Sequence, residues 1–103
     1  MSDPSGVACI SKLAAVGTTN VGAPGDEGRL CGVTLHPGSA ASSVKVYAGQ
    51  TATGDPLMQL EAPASGASVV QPIGQLQIPY ANGLTIVVAG TGAAAHVYYK
   101  PLR

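Results

Sequence analysis

Few residues in this chain have side chains suited to chemistry, and their spacing brings none of them together. His36 and His96 are the only histidines and lie far apart in sequence. A lone histidine on a strand serves as a surface or interface group more often than as a ligand or general base, so neither is given such a role. Asp26 and Glu27 adjoin in a glycine-rich stretch. A calcium loop needs six to eight oxygens in an ordered series, which this stretch lacks; a solvated loop pair is expected. Cys9 and Cys31 have no CxxC partner and no neighbouring histidine, which argues against a metal site. Both sit in apolar runs, and the simpler reading is two buried thiols. A disulfide would need an oxidising setting that nothing in the sequence announces. No serine stands in a Gly-x-Ser-x-Gly elbow. Gly22-Ala23-Pro24-Gly25 and Gly90-Thr91-Gly92 lack the Lys-Ser/Thr ending of a phosphate loop. The chain is therefore read as a non-enzyme, with no catalytic residue, no cofactor and no metal.

The aromatic residues are four tyrosines, Tyr47, Tyr80, Tyr98 and Tyr99. Adjacent strand residues point to opposite faces, so one of Tyr98 and Tyr99 is expected inside and the other outside. An exposed tyrosine anchors interfaces well, because it brings area at small entropic cost. Tyr47, Tyr80 and Tyr98 are the candidate protein-interface residues, together with Ser2, Asp3 and Pro4 near the N-terminus. Stacking on a sugar is the alternative use of these rings. Scarce tyrosines and the absence of Trp weigh against it.

The elements that must position these residues are short strands. Charged residues make up 10% of the 103 residues, against about 25% in a typical domain. Net charge is zero, so no nucleic-acid footprint is expected. The longest apolar run, 84–90, is too short to span a bilayer, and no membrane association is expected. Sixteen alanines and no Phe or Trp make a thin core, which favours support from subunit contacts. Residues 1–6 lack the basic and apolar regions of a secretory leader, so synthesis and folding are placed in a cytoplasm.

Residues 1–8 read as a flexible arm and 9–103 as one domain. Strands are expected at 9–16, 30–36, 44–48, 57–62, 69–70, 75–78, 84–88 and 96–99, with 17–28 as a loop. Along 30–36, Cys31, Val33 and Leu35 alternate inward. Pro79 ends its strand or puts it at an edge. Asn82-Gly83 reads as a type I′ hairpin turn. About eight short antiparallel strands and no helix give an all-β sandwich, jelly-roll or Ig-like.

From Ser43 onward the chain resembles small virion proteins of tailed bacteriophages. The resemblance is carried by Val-Lys-Val-Tyr-Ala-Gly-Gln-Thr-Ala-Thr-Gly-Asp-Pro-Leu at 44–57, Ala-Asn-Gly-Leu at 81–84, Gly-Thr-Gly at 90–92 and Ala-His-Val-Tyr-Tyr at 95–99. It covers a little over half of the chain, in turn-and-strand patterns that carry no family site residues. It implies a capsid decoration (cement) protein that binds the major capsid protein on the outer surface of the virion. It also implies a homo-oligomer, with a trimer favoured over a dimer. Separately, the Ser/Asp/Pro/Gly composition of the arm, residues 1–8, leads to the expectation that it orders on a capsid neighbour. A tail or fibre module recognising host glycan is the alternative.

Overall fold

The computed structural model describes residues 9–67, 69–72 and 78–101, with 69–72 as backbone. Nine strands occupy them: β1 (Ile10–Ala15), β2 (Gly17–Val21), β3 (Gly28–His36), β4 (Ser42–Ala48), β5 (Met58–Ala62), β6 (Val69–Pro72), β7 (Ile78–Tyr80), β8 (Leu84–Ala89) and β9 (Ala94–Pro101). The described residues contain no helix. One sheet runs β1-β9-β3-β6, with β7 also pairing β3; the other runs β2-β8-β4-β5. All pairings are antiparallel.

The order is that of a jelly roll. β6 and β7 pair with successive parts of β3, so they act as one interrupted strand. Counted so, the sheets read 1-8-3-6 and 2-7-4-5. First pairs with last, second with second-last, and so inward. A long antiparallel ribbon has rolled up, crossing between sheets at each corner. This topology selects the jelly roll over the Ig-like arrangement.

The alternation expected from the sequence fills the core. Val44 and Val46 of β4, Leu60 and Ala62 of β5, and Leu84, Ile86 and Val88 of β8 are buried. They face Leu30, Val33, Leu35, Ala95 and Val97 of the opposite sheet. Fully burying a Val, Leu or Ile side chain contributes about 1.5–3 kcal/mol. Alanines supply the rest of this layer, which keeps the core shallow.

Four expectations are corrected. Residues 17–21 form β2 within the expected loop; it is an edge strand whose only buried residue is Val21, so no alternation marked it. Cys31 does not alternate inward. A bulge between Leu30 and Gly32 shifts the register, so Leu30 takes the core position and Cys31 is half-buried. Asn82-Gly83 is not a type I′ hairpin. That turn needs positive φ at both central residues, and only Gly83 has it, at 73°. The strands on either side lie in different sheets, so the segment is a crossover. The two cysteines are not free thiols; Cys9 and Cys31 are joined as a disulfide. The expected strand at 75–78 falls largely outside the described residues. Its remainder, β7, carries Pro79 at the sheet edge, as a missing amide donor requires.

Each end of the sandwich is locked by loop contacts. At one end Ser39 N–H donates to Thr91 O (2.9 Å) and Ser65 N–H to Gly38 O (2.7 Å). Gly38 runs so close to this turn that a Cβ would collide with the Thr91 carbonyl. At the other end Gly83 N–H donates to Asp26 O (2.8 Å), and Gly49 N–H to Gly83 O (3.0 Å). Gly25 N–H donates to Asn82 Oδ1 (2.6 Å), while Gln50 Nε2 donates to Asn82 O (2.6 Å).

The disulfide closes a separation of 22 residues and ties the start of β1 to β3, the two strands that flank β9. A loop of that size restricts the unfolded chain by about 3 kcal/mol. Cys9→Ala/Cys31→Ala should lose about that much stability, lowering Tm by roughly 10–20 °C. Thermal melts check this, and the wild type under reductant should melt with the double variant.

Candidate functional site

Three places on the described surface merit a functional reading. The first is β1. The exposed large apolar side chains are Ile10 (46%), Leu13 (58%) and Val16 (52%), and all belong to this edge strand or the residue after it. Lys12 pairs in register with Val97, whose side chain is in the core. Lys12 is itself exposed, and a lysine on an edge strand discourages further strands from adding there. β1 therefore offers apolar side chains for packing while resisting backbone pairing.

The second place adjoins it. In-register partners share a face, so Leu13 lies beside His96, and Ser11 beside Tyr98. On the other flank of β9, Thr34 pairs with His96 and His36 with Ala94. The outer face of β1, β9 and β3 thus brings together two histidines that are remote in sequence. His36 Nε2 and His96 Nδ1 are 2.8 Å apart, with the rings edge to face. The His96 ring stacks on Tyr98 at 6.3 Å between centroids. Thr34 Oγ1 donates to the Tyr98 hydroxyl at 3.4 Å. Tyr99 points the opposite way and packs against the core, as the alternation required.

The third is a pocket of about 160 Å³ at the loop end, lined by Asp26, Glu27, Tyr80, Tyr99 and Pro101. Pockets for drug-sized ligands run about 300–1,000 Å³, so this one admits only a small group. Asp26 is an exposed loop carboxylate, as expected, and it also shapes its own turn by accepting from Ala23 N–H at 2.8 Å. Burial pushes the Tyr80 hydroxyl above its ordinary pKa, helped by Tyr99 and Asp26. That keeps the phenol neutral, the opposite of what a general base needs.

The expected interface residues do not converge. Tyr98 lies on the outer face of one sheet. Tyr47 is half-buried on the outer face of the other, beside Thr85. Tyr80 is 7% exposed and belongs to the core cluster, so its ring is not available as a surface anchor. Ser2, Asp3 and Pro4 lie outside the described residues. β1 was not singled out as a surface, because apolar residues at 10, 13 and 16 look like core until the strand is known to be an edge. Comparison with protein-family models, curated proteins and solved structures finds no match for this chain.

Because the folded-state pKa of Tyr80 is raised from 10.0, its neutral form is favoured by folding. That contribution is complete below the unfolded value and is lost as pH rises through the folded one. Wild type should therefore lose stability relative to Tyr80→Phe above about pH 10, with a constant difference between pH 7 and 9. Melting curves of both proteins from pH 7 to 11 check this.

Proposed function

We propose that this chain is a structural virion protein of the capsid decoration (cement) type, binding the outer capsid surface and stabilising the head through protein–protein contacts. One observation carries the reading: the exposed large apolar side chains of the described surface belong to the edge strand β1 and the residue after it. Leu13 stands on the Tyr98-bearing face and Ile10 on the opposite side of the strand, so the open edge is apolar on both sides, and an apolar edge beside a tyrosine-bearing face is what a docking surface needs. Beside β1 this face presents Ser11, Leu13, Thr34 and Tyr98, while its charged residues, Arg29 and Lys100, pair with each other beyond Tyr98 at one end, so covering the part next to β1 desolvates little charge. Many weak contacts then add up by repetition around a symmetric shell.

The other supports are of different kinds. The jelly roll is a recurrent architecture of viral capsid domains and also of lectins. The sequence resembles small phage virion proteins. The Cys9–Cys31 disulfide is of a kind that persists outside a reducing cytosol, where a released particle resides. The glycan-binding alternative is less favoured because Tyr47 and Tyr98 lie on opposite sides of the sandwich and cannot form one stacking platform. In this reading the partners are the major capsid protein and further copies of the chain, with a trimer favoured.

Mass spectrometry and electron microscopy of purified particles should find hundreds of copies on the head. A few copies at the tail, or none, would overturn the assignment. Removing the burial of one leucine costs about 1.5–3 kcal/mol, or roughly 10–100-fold in occupancy. Leu13→Asp should therefore decorate heads about tenfold less well or worse, with little change in Tm because Leu13 is exposed. Unchanged occupancy would rule out β1 as the docking strand.

A further inference from the structure

We propose that His36 and His96 form a two-histidine site for a divalent first-row transition cation, of the copper(II) or nickel(II) class, on the outer face of β1, β9 and β3. The argument is one of distance. Imidazole nitrogens bind such ions at about 2.0–2.1 Å. Two of them in adjacent positions of a square-planar or tetragonal ion, at right angles, are then about 2.9 Å apart. Around a tetrahedral ion they are about 3.3 Å apart. His36 Nε2 and His96 Nδ1 stand at 2.8 Å, within about 0.1 Å of the first arrangement and about 0.5 Å short of the second.

Backbone pairing sets both histidines: His96 lies on β9, paired on both sides by β1 and β3, and His36, the last residue of β3, is paired with Ala94 of β9. The His96 ring is stacked on Tyr98, and Tyr98 in turn accepts from Thr34. Ligands fixed in place by such neighbours lose little freedom on binding an ion. One of the two facing nitrogens now carries the proton of their hydrogen bond. With His96 Nδ1 as the donor of that hydrogen bond, its proton moves on binding to His96 Nε2, so both facing lone pairs are open to the ion and both imidazoles stay neutral. Among the described residues no three histidine, cysteine or carboxylate groups converge. The described residues therefore supply two ligands, and the remaining positions go to water or to other donors.

The test is titration of the untagged full chain with Ni²⁺, Cu²⁺ and Zn²⁺ at pH 7.5 by calorimetry. One ion per chain is expected for nickel and copper, with zinc weaker than either. His36→Gln and His96→Gln, each alone, should weaken nickel binding about tenfold or more. Paramagnetic Ni²⁺ added to the isotope-labelled wild type should broaden the amide signals of Thr34, His36, His96 and Tyr98 first, a readout that depends on no variant. The site is overturned by absence of heat with nickel and copper, by binding that either glutamine variant leaves unchanged, or by broadening centred on Asp26 and Glu27 instead.

Discussion

The antiparallel seating of β9 between β1 and β3 is the constraint on which the rest depends. Its register sends Ala95 and Val97 into the core and His96 and Tyr98 to the surface in alternation. It sets the chain's last strand against its first, which closes the rolled ribbon. It also determines which surface groups become neighbours. Leu13 meets His96, and His36 reaches the same ring from the other flank, only because both outer strands align on one central template. The bulge at Leu30/Gly32 is the local adjustment to that template. It turns Cys31 out of the inward row, where the disulfide to Cys9 can bind β1 to the same frame.

Polar groups inside this frame are few and paired. Thr85 is fully buried and donates to Gly49 O at 2.8 Å, tying β8 to the β4–β5 connection. Ser42 is buried at the opposite end, donating to Ala40 O and accepting from Gly38 N–H. Among the described residues no buried side-chain nitrogen or oxygen lacks a partner. A core built from Val, Leu, Ile and Ala has little contact area to spare, and an orphaned buried polar group costs about 1–3 kcal/mol. Hydrogen-bonded loop ends therefore share with the core the task of fixing the sandwich.

Strands whose one face is buried were readable from residue types. Val44/Val46, Leu60/Ala62 and Leu84/Ile86/Val88 alternate because a single face meets the core. β2 was not readable, since an edge strand of Gly, Thr and Asn buries almost nothing and carries no period. Asn82-Gly83 misled for a different reason. The same positive-φ glycine that suits a hairpin also suits a crossover packed against Gln50, and only the partner strands tell them apart. The histidine pair and the disulfide depend on which distant strands become neighbours. That is a property of topology, and no spacing along the chain encodes it. The tyrosines were legible as amphipathic groups. Their division among the core and two opposite faces was not.

Closing the sandwich with its first and last strands has a consequence in time. Ile10 lies opposite Tyr99, so β1 leaves the ribosome roughly 5–20 s before the strand that will cover its flank. Pairing so remote in sequence also raises contact order, which slows the final closure. During that interval an apolar strand waits with both backbone edges unpaired. Lys12, set in the middle of it, puts a charge in the waiting strand, and a charge within an apolar strand disfavours association of exposed chains.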